Sequence, residues 1–155
     1  MESRIPGVKI VSLKKWEDQR GWLCEIFRRD EITTEIFPAM TYISVTHPGV
    51  ARGPHAHHTQ TDLFAFVGPS TFKMYVWDDR PDSLTYGLTE NYLVGQDAPT
   101  VVIVPPGVVH AYKNIGEVDG LVVNCPNKLY AGEGKKEPVD EIRHENDPNS
   151  KFQLI

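Results

Sequence analysis

The sequence has little cysteine, no long apolar run and no cluster of basic residues. Its two cysteines, Cys24 and Cys125, cannot form a disulfide framework, so we expect two free thiols. The longest apolar runs are far too short to cross a bilayer. The first residues also lack the basic and then apolar layout of a secretory signal. We therefore expect a cytoplasmic protein without a membrane segment.

The charge distribution excludes a further class of partner. The chain of 155 residues has a net charge of −5 and contains no run of five or more lysines and arginines. Surfaces that bind nucleic acid are strongly basic, so we expect no nucleic-acid partner. An anionic ligand would need a local basic site instead. The length predicts a single domain, residues 1–155, with one hydrophobic core.

Most of the chain is predicted to form short β-strands separated by turns that contain glycine and proline. The predicted strands are 9–13, 22–27, 40–46, 63–67, 71–77, 92–94, 101–104, 121–123 and 151–155. A hairpin is predicted to join 63–67 to 71–77, one or two helical turns are predicted at 28–36, and residues 131–150 are predicted to be an exposed arm. The pattern is typical of an all-β sandwich or barrel with little helix.

Two segments concentrate the residue types that carry chemistry. The first, 49–68, contains Arg52, Asp62 and three histidines, which are His55, His57 and His58. The second, 105–114, contains His110 within the pattern Pro-x-Gly-x-x-His-x-x-x-Asn. Each segment places imidazole at the end of a strand beside turn residues. We therefore expect the two segments to form two walls of one pocket.

The histidines of these segments resemble the metal-binding pattern of cupins. Side chains two apart on a strand share a face, so His55 and His57 are predicted to point into the barrel. With Asp62 and His110 they make a set of three imidazoles and one carboxylate, which are ordinary ligands of divalent iron, manganese, nickel or zinc. A divalent-metal site is therefore one function open to these four residues.

A more extensive resemblance is to the dTDP-4-dehydrorhamnose 3,5-epimerase family. Five segments occur in the family's order, at 18–27, 49–55, 78–87, 104–110 and 146–148. The most specific feature is Arg-Gly-x-His followed at a distance by Pro-x-Gly-x-x-His. The resemblance implies a cupin-type jelly-roll barrel that forms a homodimer by strand exchange. It also implies an isomerase of deoxysugar and polysaccharide biosynthesis, acting on a nucleotide-diphosphate sugar without a cofactor.

The resemblance also implies roles for particular residues. His55 matches the base that removes the proton alpha to the 4-keto group, and imidazole titrates close to working pH. Arg52 is suited to holding phosphate through two hydrogen bonds. The residues predicted to bind the substrate are Arg20, Glu25, Arg52, His57, His110 and Tyr130.

Three features depart from the family pattern. Asn124 stands where the family has its general-acid tyrosine. In typical members of the family, the aspartate that orients the base lies in a C-terminal extension beyond the equivalent of Ile155. Asp78 is the nearest substitute in this sequence. Asp78 is therefore predicted to be catalytic together with His55. A family lysine appears here as Asp62. These departures imply a short, atypical member with reduced or altered activity.

Alternative functions are left open by the sequence. The pair His55 and His57 also resembles the 3,4-ketoisomerases of nucleotide-linked keto sugars, which need no tyrosine acid. A metal cupin and a catalytically silent sugar-binding barrel are the alternatives from other classes. Metal content would identify the metal cupin, and proton exchange would separate an enzyme from a silent barrel.

Overall fold

The computed structural model describes residues 2–155, and nearly all of their regular structure is β. The short 3-10 helices are Thr34–Ile36, Glu133–Lys135 and His144–Asn146. The strands are β1 Lys9–Ser12, β2 Lys15–Asp18, β3 Gly21–Cys24, β4 Tyr42–Thr46, β5 Ala51–Ala56, β6 Asp62–Phe66, β7 Thr71–Asp78, β8 Thr89–Gly95, β9 Thr100–Val104, β10 Val108–Asn114, β11 Gly120–Asn124 and β12 Ile142–Arg143. The prediction of an all-β fold with little helix is confirmed.

Ten of these strands form two five-stranded antiparallel sheets. The first sheet has the order β1-β9-β6-β11-β4 and the second has the order β12-β5-β10-β7-β8, while β2 and β3 form a separate hairpin. From β4 to β7, and again from β8 to β12, the chain alternates between the two sheets. This connectivity is that of a jelly roll.

Aromatic side chains fill the space between the two sheets. Phe64 and Phe66 of β6 meet Phe72 of β7 and Tyr112 of β10, with ring centroids 5.4–5.7 Å apart. Every residue of β6 and of β9 is buried, because segments from the N-terminal part of the chain cover the outer face of these strands. Burial on both faces explains why these strands read as continuous apolar runs in the sequence.

The predicted hairpin between 63–67 and 71–77 is wrong. β6 pairs with β9 and β11 in the first sheet, whereas β7 pairs with β8 and β10 in the second. The turn at 68–70 therefore carries the chain from one sheet to the other. A short turn with glycine and proline is compatible with either course, and the pairing is decided by strands that are distant in sequence.

Two other local predictions also differ from the structure. Residues 28–36 contain only the 3-10 helix Thr34–Ile36, and the preceding turn is held by Arg28, which pairs with Asp30 at 2.9 Å. Residues 151–155 do not form a strand. They are held instead by Phe152, which is buried with its ring centroid 5.7 Å from that of Trp77.

Residues 131–150 are mostly exposed, and their middle part returns to the barrel. There β12 pairs with β5, which places Ile142 opposite Ala56 and Arg143 opposite His55. This segment, 131–150, is called the arm below. Within residues 2–155, no helix has the length and the apolar character needed to cross a membrane.

Candidate active site

A pocket of about 1040 Å³ lies between the two sheets and the arm. β4 lines it from the first sheet, β5 lines it from the second, and residues of the arm line a third side. Contrary to the expectation from the sequence, the motifs around His55 and His110 do not form two walls. β5 and β10 are neighbours in one sheet, with His55 directly opposite His110, so the two motifs lie side by side. His55 and Tyr112 line the pocket, whereas His110, which was predicted to bind the substrate, is buried and does not line it.

Asp62 of β6 connects the first sheet to the histidines of the second. Its Oδ2 atom lies 3.0 Å from Nε2 of His57 and 3.3 Å from Nε2 of His110. Its Oδ1 atom accepts hydrogen bonds from the side-chain amides of Gln60, at 2.9 Å, and Asn124, at 2.8 Å. The carboxylate is 1% exposed, so these contacts replace its hydration.

The other ring nitrogens of the two histidines face backbone carbonyls. Nδ1 of His57 is bonded to the carbonyl of Asp140, and Nδ1 of His110 to the carbonyl of Val108 at 3.1 Å. A carbonyl only accepts, so each Nδ1 carries a proton and each Nε2 faces Asp62. Burial opposes ionisation of Asp62, but the close approach of the His110 and His57 imidazoles to Oδ2 lowers the pKa of this carboxyl group.

His57 carries positive charge more readily than an ordinary histidine. Burial lowers its pKa, but the carboxylate of Asp62 and then the carbonyl of Asp140 raise the pKa above its usual value. When it is charged, His57 donates from one ring nitrogen to Asp62 and from the other to the carbonyl of Asp140, and its positive charge lies in the pocket lining.

His55 has the opposite electrostatic character. Burial, and then the charge of His110, lower the pKa of His55 to about 2. The ring lines the pocket, and its centroid lies 4.4 Å from that of His110. At neutral pH His55 is therefore an uncharged imidazole with a lone pair available for a proton.

Gly53 allows the two motifs to approach so closely. A Cβ atom at this position would lie 2.6 Å from the carbonyl oxygen of His110 and 2.9 Å from Nδ1 of His55, and its φ is 81°. Both features require glycine.

Asn114, the last residue of the second motif, joins neighbouring segments of the barrel. It accepts a hydrogen bond from Ser70 at 2.6 Å and donates one to the carbonyl of Thr46 at 2.8 Å.

Asp140 of the arm holds the histidine loop in place. Its carboxylate accepts hydrogen bonds from the backbone N–H groups of His58 at 2.7 Å, Thr59 at 2.8 Å and Gln60 at 3.0 Å. The carbonyl of the same residue binds His57. The arm thus fixes the loop that carries the histidines, a link that sequence reasoning missed because the charged arm has no distinctive local motif.

Two further predicted binding residues line the pocket. Arg52 donates from Nε to the hydroxyl of Thr46 at 3.1 Å and from one NH2 group to the carbonyl of Val45 at 2.8 Å, which orients the guanidinium. Tyr130 of the segment before the arm lines the pocket with half of its surface exposed. Both side chains are placed where they can contact a ligand.

Asp78, Arg20 and Glu25 lie outside the residues that line the pocket. The buried carboxylate of Asp78 is bound by Arg80 at 2.7 Å and by the hydroxyls of Ser83 and Thr85 at 2.5 Å, so it organises its own loop. The structure therefore does not bring Asp78, the last residue of β7, to His55. Its partners all lie in the loop that follows the strand.

Arg20 and Glu25 belong to the exposed hairpin of β2 and β3 and the turn after it. Arg20 pairs with Asp18 at 2.5 Å, and Glu25 pairs with Arg28 at 3.4 Å. Within one chain these two residues form surface ion pairs, and their predicted contact with a nucleotide stays a prediction.

The pocket lining also includes Tyr42, Ser44 and Tyr112, which were not among the predicted site residues. Tyr42 and Ser44 alternate along β4, and this alternation in the sequence was the signal that they share a face. The hydroxyls of Ser44 and Tyr112 lie 3.0 Å apart, which joins the two sheets across the pocket.

A jelly-roll barrel that gathers histidines and one carboxylate beside an open pocket defines a cupin-type barrel equipped for proton transfer. The chain belongs to the dTDP-4-dehydrorhamnose 3,5-epimerase family, whose model matches residues 2–149. This confirms the family predicted from the sequence, and with it the cupin-type jelly roll.

Two curated relatives resemble the chain over most of its length. It is 36% identical over 152 residues to the probable low-salt glycan biosynthesis epimerase Agl13 of Haloferax volcanii, covering 96% of this chain and 97% of the relative. It is 38% identical over 126 residues to the spore coat polysaccharide biosynthesis protein SpsL of Bacillus subtilis, covering 81% of this chain and 82% of the relative.

Solved structures show the same fold. NovW, a 4-keto-6-deoxy sugar epimerase of Streptomyces spheroides, superposes with a TM-score of 0.81 at 22% identity, covering 99% of this chain and 77% of the NovW chain. At this level of identity the likeness establishes the fold alone.

Proposed function

We propose that this protein epimerises a nucleotide-linked 4-keto sugar and that His55 is the base that removes the proton alpha to the ketone. The observation that carries the proposal is the position of His55: its imidazole lines the pocket between the two sheets. The ring is uncharged at neutral pH, so it can accept a proton. The family relationship and the name of Agl13 as an epimerase support the same reaction class.

The chemistry requires little more than placed acids, bases and charges. A 4-keto group acidifies the hydrogens on its neighbouring carbons, so a neutral imidazole can remove one of them. The proton leaves an enolate, and cationic or hydrogen-bond-donating neighbours stabilise its charge. His57, with its raised pKa, and Arg52 are the pocket residues that we assign to this electrostatic role.

The substrate class follows from the family and the pocket. Structures in the family include complexes with dTDP and with dTDP-4-keto-L-rhamnose. Arg52 offers a planar guanidinium that matches a phosphate, and the pocket volume is of the size that holds a small-molecule ligand. A nucleotide-diphosphate sugar is therefore the proposed substrate.

Solvent exchange tests this proposal. Protein dialysed against EDTA is expected to incorporate deuterium from D2O at C3 or C5 of a dTDP-4-keto-6-deoxyhexose, followed by proton NMR, because enolisation by His55 needs no cofactor. Absence of exchange, with or without added metal, would contradict the keto-sugar function and favour the silent sugar-binding barrel. Movement of the ketone from C4 to C3 would identify a 3,4-ketoisomerase.

A divalent-metal site is the second candidate, and one observation favours it. Donor atoms of His55, His57, Asp62 and His110 all lie within 4.8 Å of one another. Within residues 2–155, Asp62 Oδ2 and His110 Nε2 are buried without a hydrogen-bond partner of good geometry, and a cation would satisfy both. A cation would also bind the lone pair of His55 that proton abstraction needs. Deuterium exchange that is lost on dialysis against EDTA and restored by added metal would therefore assign the activity to a metal held by these four residues.

We also propose that the protein acts as a homodimer. The hairpin of β2 and β3 lies apart from the two main sheets and leaves Trp16, Trp22 and Leu23 about half exposed or more. An isolated hairpin is marginally stable in water, and exposed apolar patches mark contact surfaces. Packing against a second copy would cover these side chains and bring Arg20 and Glu25 towards the other copy's pocket.

Leu23→Asp is expected to convert the dimer to a monomer, because a carboxylate on the apolar hairpin would be desolvated in the interface. Size-exclusion chromatography with light scattering measures the mass. Leu84→Asp is the matched control, since Leu84 is a fully exposed leucine on another loop, and it should leave the dimer intact. A monomeric wild type, or a dimeric Leu23→Asp protein, would contradict this interface.

A further inference from the structure

Inversion at carbon needs a second proton-transfer group besides the base. If His55 returned the proton that it removed, the proton would re-enter from the same face and the configuration would be retained. An acid must therefore stand on the opposite side of the sugar ring. The position of the family's acid tyrosine is taken here by Asn124, whose amide is a poor acid.

Tyr42 stands on the wall that faces His55. Tyr42 belongs to β4 of the first sheet and His55 to β5 of the second, and both line the pocket. A ligand held between the sheets would thus have the imidazole on one side and the phenol on the other.

Asn124 holds the Tyr42 hydroxyl in a defined state. The two residues are directly opposite each other on β11 and β4, and Asn124 Nδ2 donates to the Tyr42 oxygen at 2.9 Å. Asn124 cannot turn its amide around: Nδ2 also donates to Asp62 at 2.8 Å, and Oδ1 accepts from the backbone N–H of Leu63 at 3.2 Å. The Tyr42 oxygen therefore accepts from Asn124, which leaves its own O–H free to donate elsewhere.

The other two tyrosines of the pocket lack this arrangement. Tyr112 lies on β10, which is next to β5 in the same sheet as His55, and its buried hydroxyl is engaged with Ser44. Tyr130 lies beyond β11, and within residues 2–155 its hydroxyl has no hydrogen-bond partner that would fix its position.

We propose that Tyr42 is the general acid that protonates the enolate on the face opposite His55, with Asn124 as its positioning residue. This inference rests on the proposed epimerase function. The C–H bond breaks as its proton passes to His55; a new C–H bond forms on the other face as the Tyr42 O–H bond breaks. The resulting imidazolium and phenolate regain their neutral forms by exchanging protons with water in the open pocket.

The environment of Tyr42 suits this role. Tyr42 is 44% exposed, with its hydroxyl held against Asn124. The partial burial of the phenol raises the pKa of Tyr42 to about 12, so the hydroxyl is protonated at working pH, and the hydrogen bond from Asn124 partly offsets this effect. The same N–H group stabilises the phenolate that forms when the proton leaves.

The test separates exchange from inversion in a single assay with Tyr42→Phe. In D2O the wild type should give the inverted sugar with deuterium at the inverted carbon. Tyr42→Phe should form this epimer at least about 100-fold more slowly, because the acid is lost. It should still return deuterated substrate of unchanged configuration at a rate within about fivefold of the wild-type exchange, because the step at His55 is intact. This retained exchange also shows that the variant is folded and binds the sugar.

Tyr75→Phe is the matched control, since the Tyr75 hydroxyl is bonded to the carbonyl of Ile155 and lies outside the pocket lining. It should leave both rates unchanged. Inversion by Tyr42→Phe at the wild-type rate would overturn the proposal, and so would joint loss of exchange and inversion, because an acid used only for reprotonation does not control the first step. Absence of exchange in the wild type would instead overturn the epimerase function on which the proposal depends.

Discussion

His55→Asn is expected to lower the rate of solvent-deuterium exchange into the keto sugar by between about 10²- and 10⁴-fold, the range typical for loss of a general base. Asparagine has a similar shape but no basic nitrogen. The exchange rate should be measured by NMR at saturating substrate, so that it reports the chemical step. The expected loss is large because His55 is the neutral imidazole on the pocket wall.

His58→Asn provides the matched control for this experiment. His58 belongs to the same loop, but its side chain is exposed and does not line the pocket. Its exchange rate should equal that of the wild type. If His55→Asn exchanged deuterium as fast as the wild type, the base would be another residue and the assignment of His55 would be wrong.

Asp62→Ala is expected to lower the free energy of unfolding by about 3–5 kcal/mol, the cost of removing one member of a buried ionic group. The carboxylate is 1% exposed, accepts hydrogen bonds from Gln60 and Asn124, and lies between two histidines. Urea unfolding at a fixed protomer concentration measures the change, since dimerisation would otherwise shift the apparent stability.

Asp62→Asn is the conservative companion, because its amide oxygen can still accept from Gln60 and Asn124. Its free energy of unfolding should fall by less than that of Asp62→Ala, by about 1–2 kcal/mol at pH 7. The carboxyl group of Asp62 has a lower pKa when folded than its ordinary value of about 3.9, so its contribution is present above that pH and is lost as the pH falls. The difference in the free energy of unfolding between wild type and Asp62→Asn should therefore become smaller below about pH 4. Equal stabilities for Asp62→Ala and wild type would show that the buried group contributes nothing.

The sequence by itself determined the fold class and most of the residue types at the site. Period-two alternation and regular turns are local features, so they predicted an all-β barrel correctly. His55, His57 and Asp62 fall within one short segment, and His110 is marked by its own turn pattern, so the cluster could be predicted from spacing and resemblance.

Only the tertiary structure decided which elements meet. It placed β6 and β7 in different sheets, put the two motifs side by side in one sheet, and kept Asp78 within its own loop. The contact of Asp140 with the loop at His58 and that of Tyr42 with Asn124 each join residues 82 positions apart. Local sequence patterns determine the conformation of each strand and which side chains share a face. Contacts between residues distant in sequence depend instead on strand order and register across the whole barrel. The contact between Asn124 and Tyr42 could therefore be identified only in the folded chain.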